Sequence, residues 1–256
     1  MHFTELDELY EQAGTALEKR LPLFQQNAAV IARRDDALNR AVALQIATGQ
    51  IDEAIRTMTT HSFAVAEGAN LNVAEHWTDA HILRAQTEIS TKRYKEALAD
   101  LQAAAIIPAN LPLASGFGGA NARTAELAYW TGLAQEGAGD ARQAAESWKR
   151  AVTPPVAGSS AQAYYQGLAF QKLGQPEKAQ ALFQGLVNQP TPATGGRGGR
   201  GGRALSPRVR TATTHYLAGL GYLGLKDTAQ AKAELTQAVQ ISPDLLGART
   251  VLAALR

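Results

Sequence analysis

The sequence contains no cysteine, so disulfides, thiolate nucleophiles and cysteine-ligated zinc are excluded. It has no run of 18 apolar residues, so no membrane span is expected. The opening MHFTELDELYEQ is acidic and amphipathic, and lacks the basic head and apolar centre of a secretory leader. A dominant charge is missing as well. Lys and Arg number 25 against 23 Asp and Glu, and a formal charge of +2 makes no case for a general nucleic-acid surface. A cytoplasmic setting is the default expectation, with export open if these residues belong to a larger protein.

Motifs that carry chemistry are also scarce. No G-x-x-x-x-G-K-[ST], H-E-x-x-H or G-x-S-x-G occurs. Gly219-Leu-Gly221-Tyr-Leu-Gly224 spells G-x-G-x-x-G. A dinucleotide site needs that spelling between a strand and a helix start, so that backbone N–H groups meet phosphate. The preceding THYLA instead puts it inside a helix, which points to packing. Of the five histidines, His76 and His81 stand five apart. That spacing separates them by about 140° around a helix, so they do not share a metal-binding face. No carboxylate pair stands out as an acid/base couple. The expectation is a chain with no catalytic residue, cofactor or metal, and no enzymatic activity.

What the sequence does contain is a repeat. A small residue is followed twelve positions later by alanine at Val42/Ala54, Ala85/Ala97, Gly132/Ala144, Gly167/Ala179 and Gly219/Ala231. Helix-forming alanine supplies much of an apolar content of 45%. Small residues at both points let two helices cross near the short end of the usual range of about 8–10 Å. Trp148 and Phe183 follow their alanines by four, on the same helix face, and Leu101 and Leu235 do so in other copies. They are expected to fill the space between units. The five alanines are separated by 43, 47, 35 and 52 residues. The excess over a unit of about 34 falls in connectors, where added length is tolerated.

Helices are expected over 36–48, 52–60, 78–91, 94–107, 124–137, 141–152, 160–173, 176–187, 208–224 and 228–241, with a capping helix after Pro243. Thr4 with Asp7 and Thr15 with Glu18 read as helix-start boxes. Pro22 suits a first turn, Asp36 a cap and Gly49 a stop. Residues 108–122 read as a Pro- and Gly-rich loop, and 188–207, with GGRGGRGGR at 195–203, as a flexible linker. One helical repeat domain over 1–256 is expected: N-terminal helices to 35, repeats over 36–187, the linker, then the last repeat and cap from 208.

These units resemble tetratricopeptide repeats, which favour a small residue at position 8 and Ala at position 20. The last unit carries Gly219, Tyr222, Ala231, Leu235, Ala238 and Pro243; an earlier one carries Gly132, Ala144, Trp148 and Ala151. The tryptophan typical of position 4 is replaced by Leu38, His81, Ala128, Ala163 and His215, and His61 makes the first unit degenerate. The resemblance implies an all-α solenoid, a right-handed superhelix of antiparallel helix pairs, acting as a non-catalytic scaffold for a protein or peptide. It implies that Tyr129, Leu133, Tyr164, Leu168, Tyr216 and Leu220 line a concave groove, suited to an apolar or extended peptide. The competing reading is that the stripe packs against another helix or simply completes the core. The Lys and Asn with which some relatives clamp a chaperone's terminal carboxylate are absent from these positions.

The order of motifs from HFTELDELYEQ to HYLAGLGYLGLKD is also similar to the C-terminal helical part of large bacterial proteins. Those carry an uncharacterised β-rich, carbohydrate-processing-like domain ahead of their repeats. That resemblance implies an accessory role beside such a domain. The Arg-Gly run raises weak RNA binding as a further alternative, although it holds no aromatic residue for stacking.

Overall fold

The computed structural model describes residues 3–64, 72–112, 123–153, 155–156, 160–189 and 206–255. Among them are fourteen α-helices and no strand. They are α1 (Phe3–Gln12), α2 (Leu17–Gln26), α3 (Ala28–Ile31), α4 (Asp35–Ala47), α5 (Ile51–Thr60), α6 (Val73–Ser90) and α7 (Tyr94–Ala104). They continue with α8 (Thr124–Gly137), α9 (Ala141–Ala151), α10 (Ala161–Lys172), α11 (Pro176–Val187), α12 (Pro207–Gly224), α13 (Thr228–Ile241) and α14 (Leu246–Ala254). The architecture is that of an all-α helical-repeat protein. The chain divides into two compact units, Met1–Thr91 with Ala99–Ala122, and Lys92–Leu98 with Arg123–Arg256. The Arg-Gly run at 195–203 and most of the 108–122 loop lie outside the described residues.

The repeat shows first in the backbone. Each small residue is followed seven positions later by a residue with positive φ: Gly49, Lys92, Gly139, Gly174 and Lys226. This left-handed residue ends the first helix of each pair and turns the chain into the second. Glycine adopts it without cost in three copies; the two lysines hold a conformation that side chains disfavour. Asp140 and Asp227 then cap the second helices, accepting from Gln143 N at 2.9 Å and Gln230 N at 3.1 Å.

In the second unit the pairs are α8 with α9, α10 with α11 and α12 with α13, and the first helices α8, α10 and α12 pack consecutively. Glycine makes this possible. A Cβ on Gly132 would fall 2.3 Å from Trp148, one on Gly167 2.3 Å from Phe183, and one on Gly219 2.7 Å from Leu235. Each large side chain therefore caps the glycine of its own pair. Phe183 also reaches the next unit, where a Cβ on Gly224 would lie 2.3 Å away. The G-x-G-x-x-G spelling is thereby accounted for. Gly219 faces Leu235, Gly221 approaches the Phe183 carbonyl and Leu186, and Gly224 lies under the Phe183 ring, all within α12. The five repeat alanines, 54, 97, 144, 179 and 231, have no exposed surface.

The first unit is closed differently. Asp7 and Arg20 form a fully buried pair with two hydrogen bonds, at 2.8 and 2.7 Å. Arg40 of α4 adds a bond to Asp7 and one to Glu11, both at 2.6 Å. Thr4 does not start a box with Asp7; its hydroxyl donates to Asp36 at 2.8 Å, and Asp7 is taken by the arginines. Asp36 is correspondingly not a cap, for α4 begins at Asp35. Burial opposes the Asp36 charge, but hydrogen bonds from Arg34, Thr4 and the Ala37 backbone outweigh it and hold the carboxyl below its ordinary range. No side chain caps α2 at Thr15, and Pro22 lies inside that helix. Helix α6 starts five residues earlier than expected, at Val73, because Val73, Ala74 and Trp77 bury themselves as its first apolar turn.

Candidate functional site

The sequence-expected groove residues all lie on the three first helices of the second unit. Leu133 on α8 and Tyr164 and Leu168 on α10 share one apolar cluster with Tyr129, Trp148 and Tyr165. Tyr164 and Tyr216 join the next cluster, built on Ala163, Leu186, Leu217 and Leu220. The stripe is therefore continuous from α8 to α12. Its members are not equivalent. Tyr129 is buried and packs edge-on and tilted against Trp130 and Tyr165, with ring centroids 5.5 and 6.0 Å apart. Leu220 has no exposed surface. Both belong to the interior. Leu133, Tyr164, Leu168 and Tyr216 are half-buried and keep part of their surface open.

Each tyrosine leans toward the next first helix, which sets how far it is covered. Tyr129 meets Tyr165 of α10. Tyr164 packs on Phe183 at 5.9 Å and lies with the α12 leucines. Tyr216 is met by α14, where a Cβ on Gly247 would lie 2.6 Å from its hydroxyl oxygen. Burial raises the Tyr129 hydroxyl well above its normal range, with Tyr164 and Glu136 adding to the effect. Burial alone pushes Tyr164 up to about 12. Burial likewise raises Tyr165, helped by Glu126, to which it is hydrogen-bonded. These phenols stay neutral at physiological pH and serve as apolar bodies with a single polar tip.

Charged groups stand at the ends of these helices. Arg123 precedes α8 and donates to the buried Glu126 at 2.8 Å. Lys172 at the end of α10 reaches Glu136 at 2.5 Å and stands 5.0 Å over the Trp148 ring. Arg208 and Arg210 lie at the start of α12.

The aromatic neighbours Trp130 and Tyr165 were not anticipated. Their signal was present as the doublets Tyr129-Trp130 and Tyr164-Tyr165, in each of which one residue is buried, Tyr129 in the first and Tyr165 in the second. Two histidine–carboxylate pairs were also missed. His81 Nδ1 lies 2.7 Å from Asp100 Oδ1, and His215 Nδ1 lies 2.7 Å from Glu234 Oε2, both across 19 residues. They occupy the same repeat site, where the histidine replaces the family's tryptophan and ties the two helices of a pair by a polar bond. Arg84 adds two bonds of 2.7 Å to Asp100 and one of 2.8 Å to Asp52. Burial opposes the Asp100 charge, but Arg84 and His81 outweigh it and hold the carboxyl well below the usual range. Among the described residues, no group of three or more His, Cys, Asp or Glu could hold a metal ion, and no helix is long and apolar enough to cross a membrane.

Tetratricopeptide-repeat models match residues 161–191 and 212–245, which are α10–α11 and α12–α13 with their flanks. Solved structures that align with the chain include YrrB, described as a TPR protein with an unusual peptide-binding site. It is 16% identical over 89% of this chain and 96% of its own, with a TM-score of 0.34. Another is MamA, 16% identical over 77% of this chain and 91% of its own, with a TM-score of 0.29. With the same small-residue crossing and left-handed turn in all five pairs, and two pairs matched by the family's models, the chain carries tetratricopeptide repeats at residues 161–191 and 212–245.

Proposed function

We propose that this protein is a non-catalytic scaffold that buries a segment of a protein partner against the α8–α10–α12 face. A tetratricopeptide-repeat chain is a protein-interaction scaffold in its general character. The narrower reading rests on one observation: the half-buried Leu133, Tyr164, Leu168 and Tyr216 form a continuous stripe on three consecutively packed helices. A few such apolar and aromatic anchors carry most of the energy of an interface, whatever its area. Tyr129 and Leu220 act beneath them as support.

The test is affinity capture on immobilised protein, comparing wild type with Leu133→Ser/Leu168→Glu. Loss of one central anchor costs roughly 2 kcal/mol, which is about a 30-fold weakening. The expected result is loss of the captured segment with helical content unchanged by circular dichroism. Undiminished capture by a folded variant refutes the face.

A further inference from the structure

We propose that the segment seated on the α8–α10–α12 face is an uncharged, proline-rich stretch of a partner protein in the polyproline II conformation, with an apolar side chain at every third residue. The proposal rests on the reading of that face as a segment-binding site, and names the chemistry of its occupant.

The face is electrically self-contained. Every acidic, basic or histidine side chain on α8, α10 and α12 already has a partner. Glu126 is bonded to Arg123, Glu136 to Lys172 and His215 to Glu234. Arg208 and Arg210 are engaged as well. The three helices therefore hold out no ion for a partner's charge to meet. A charged side chain laid on the stripe would lose water and gain no counter-ion. An uncharged segment is the electrostatic match.

The face also offers little to a backbone N–H. Its half-buried stripe is Leu133, Tyr164, Leu168 and Tyr216, on helices whose carbonyls are bonded internally. Among the described residues there is no strand, so no sheet edge takes up an extended peptide. The N–H groups of an ordinary extended segment would face leucine side chains and aromatic rings, and each one left unpaired costs affinity. Proline has no N–H to leave. The Tyr164 hydroxyl, in contrast, stays protonated and makes no hydrogen bond among the described residues. A polyproline II chain keeps its carbonyls unbonded and supplies the acceptor. A helix uses its carbonyls internally and does not.

Spacing selects the same conformation. Helices α8, α10 and α12 pack in succession, and packed helices lie about 8–10 Å apart. Polyproline II has three residues per turn and rises about 3.1 Å with each, so every third side chain returns to one side after about 9 Å. One apolar side chain then meets each first helix. A β-strand returns to the same side at every second residue, after about 6.6 Å, and falls out of step. Aromatic-lined grooves are the surfaces on which such preformed segments dock.

Titration calorimetry of the full chain with capped synthetic peptides tests this. The first peptide holds five Pro-Pro-Leu triplets. Three others replace every Leu by Lys, replace every Leu by Glu, or set Leu at every second position among prolines. The Pro-Pro-Leu peptide is expected to bind with an affinity that changes less than about two-fold between low and high salt, since no charge is screened. The other three are expected to bind at least about ten-fold more weakly. Leu168→Glu should weaken Pro-Pro-Leu binding about 30-fold, and Tyr164→Phe, which keeps the ring and loses the donor, about five-fold. Circular dichroism should show both variants folded. No binding of the Pro-Pro-Leu peptide, or equal binding of a charged one, overturns the proposal. If that peptide fails but the protein captures another segment that Leu168→Glu loses, the face stands and its occupant has a different chemistry. If folded Leu168→Glu alters neither peptide binding nor capture, both readings fall.

Discussion

The two units solve one packing problem with different chemistry. In the first, polar and ionic bonds join the helices: Asp7 with the fully buried Arg20 and with Arg40, Asp35 with His61, and Asp100 with His81 and Arg84. In the second, Trp148, Phe183 and Leu235 nest on Gly132, Gly167 and Gly219. Volume matching leaves a spelling at fixed spacing, and both stretches matched by the family's models lie in the second unit. Charge matching leaves almost none, because Asp7, Arg20 and Arg40 follow no repeat period. The unit held by ions should therefore fail when one partner is removed; the unit held by volume should fail when a side chain grows.

The sharpest break is Arg20→Ala. It strands Asp7 in the interior and should cost about 3–5 kcal/mol, read by chemical denaturation. A loss below about 1 kcal/mol would mean that the pair is hydrated in solution. Enlarging the second unit's crossing points comes next. Ala144→Leu or Ala179→Leu should cost about 1–3 kcal/mol, since no neighbouring surface can yield without parting the helices. An unchanged melting temperature in either variant would contradict the alignment of the repeats.

Opposite pH limits should sharpen the contrast further. The Asp100 and Asp36 carboxyls are depressed in the folded state, so their contribution is present above the unfolded value of about 4 and is lost as pH falls below it. Asp100→Asn should flatten that acid limb. The Tyr164 hydroxyl is raised, so the stability linked to it is present below about 10 and is lost as pH climbs to about 12. Tyrosinate absorbance followed alongside circular dichroism should show late ionisation coinciding with loss of helix. Early ionisation at the ordinary value would place Tyr164 in open solvent. The smallest expected change is a gain: Lys226→Gly relieves a left-handed lysine and should add up to about 1 kcal/mol, seen as a small rise in melting temperature.

Much of the fold was readable in advance where small residues recur. The helices at Pro176–Val187 and Thr228–Ile241 fall on their expected ends because proline and an aspartate cap fix the start. The start of α6 and the roles of Thr4, Asp7 and Asp36 were not readable. Those side chains choose partners as far as 33 residues away, in preference to the local backbone. The candidate face was an expectation from the repeat positions of its Tyr and Leu residues. Spacing brought the Tyr and Leu residues onto one side of three helices, but spacing cannot say which of them the next helix covers.

By itself the sequence determined the repeat, its helical pairs and their turns, because small residues and left-handed turns act over a few residues and leave a periodic trace. Only the tertiary structure decided which side of each helix stays open. It buried Tyr129 and Leu220, left Tyr164 and Tyr216 partly exposed, and turned Asp7 inward and Leu9 outward on α1. Exposure is set by the neighbour that packs on top, and that neighbour lies far away along the chain.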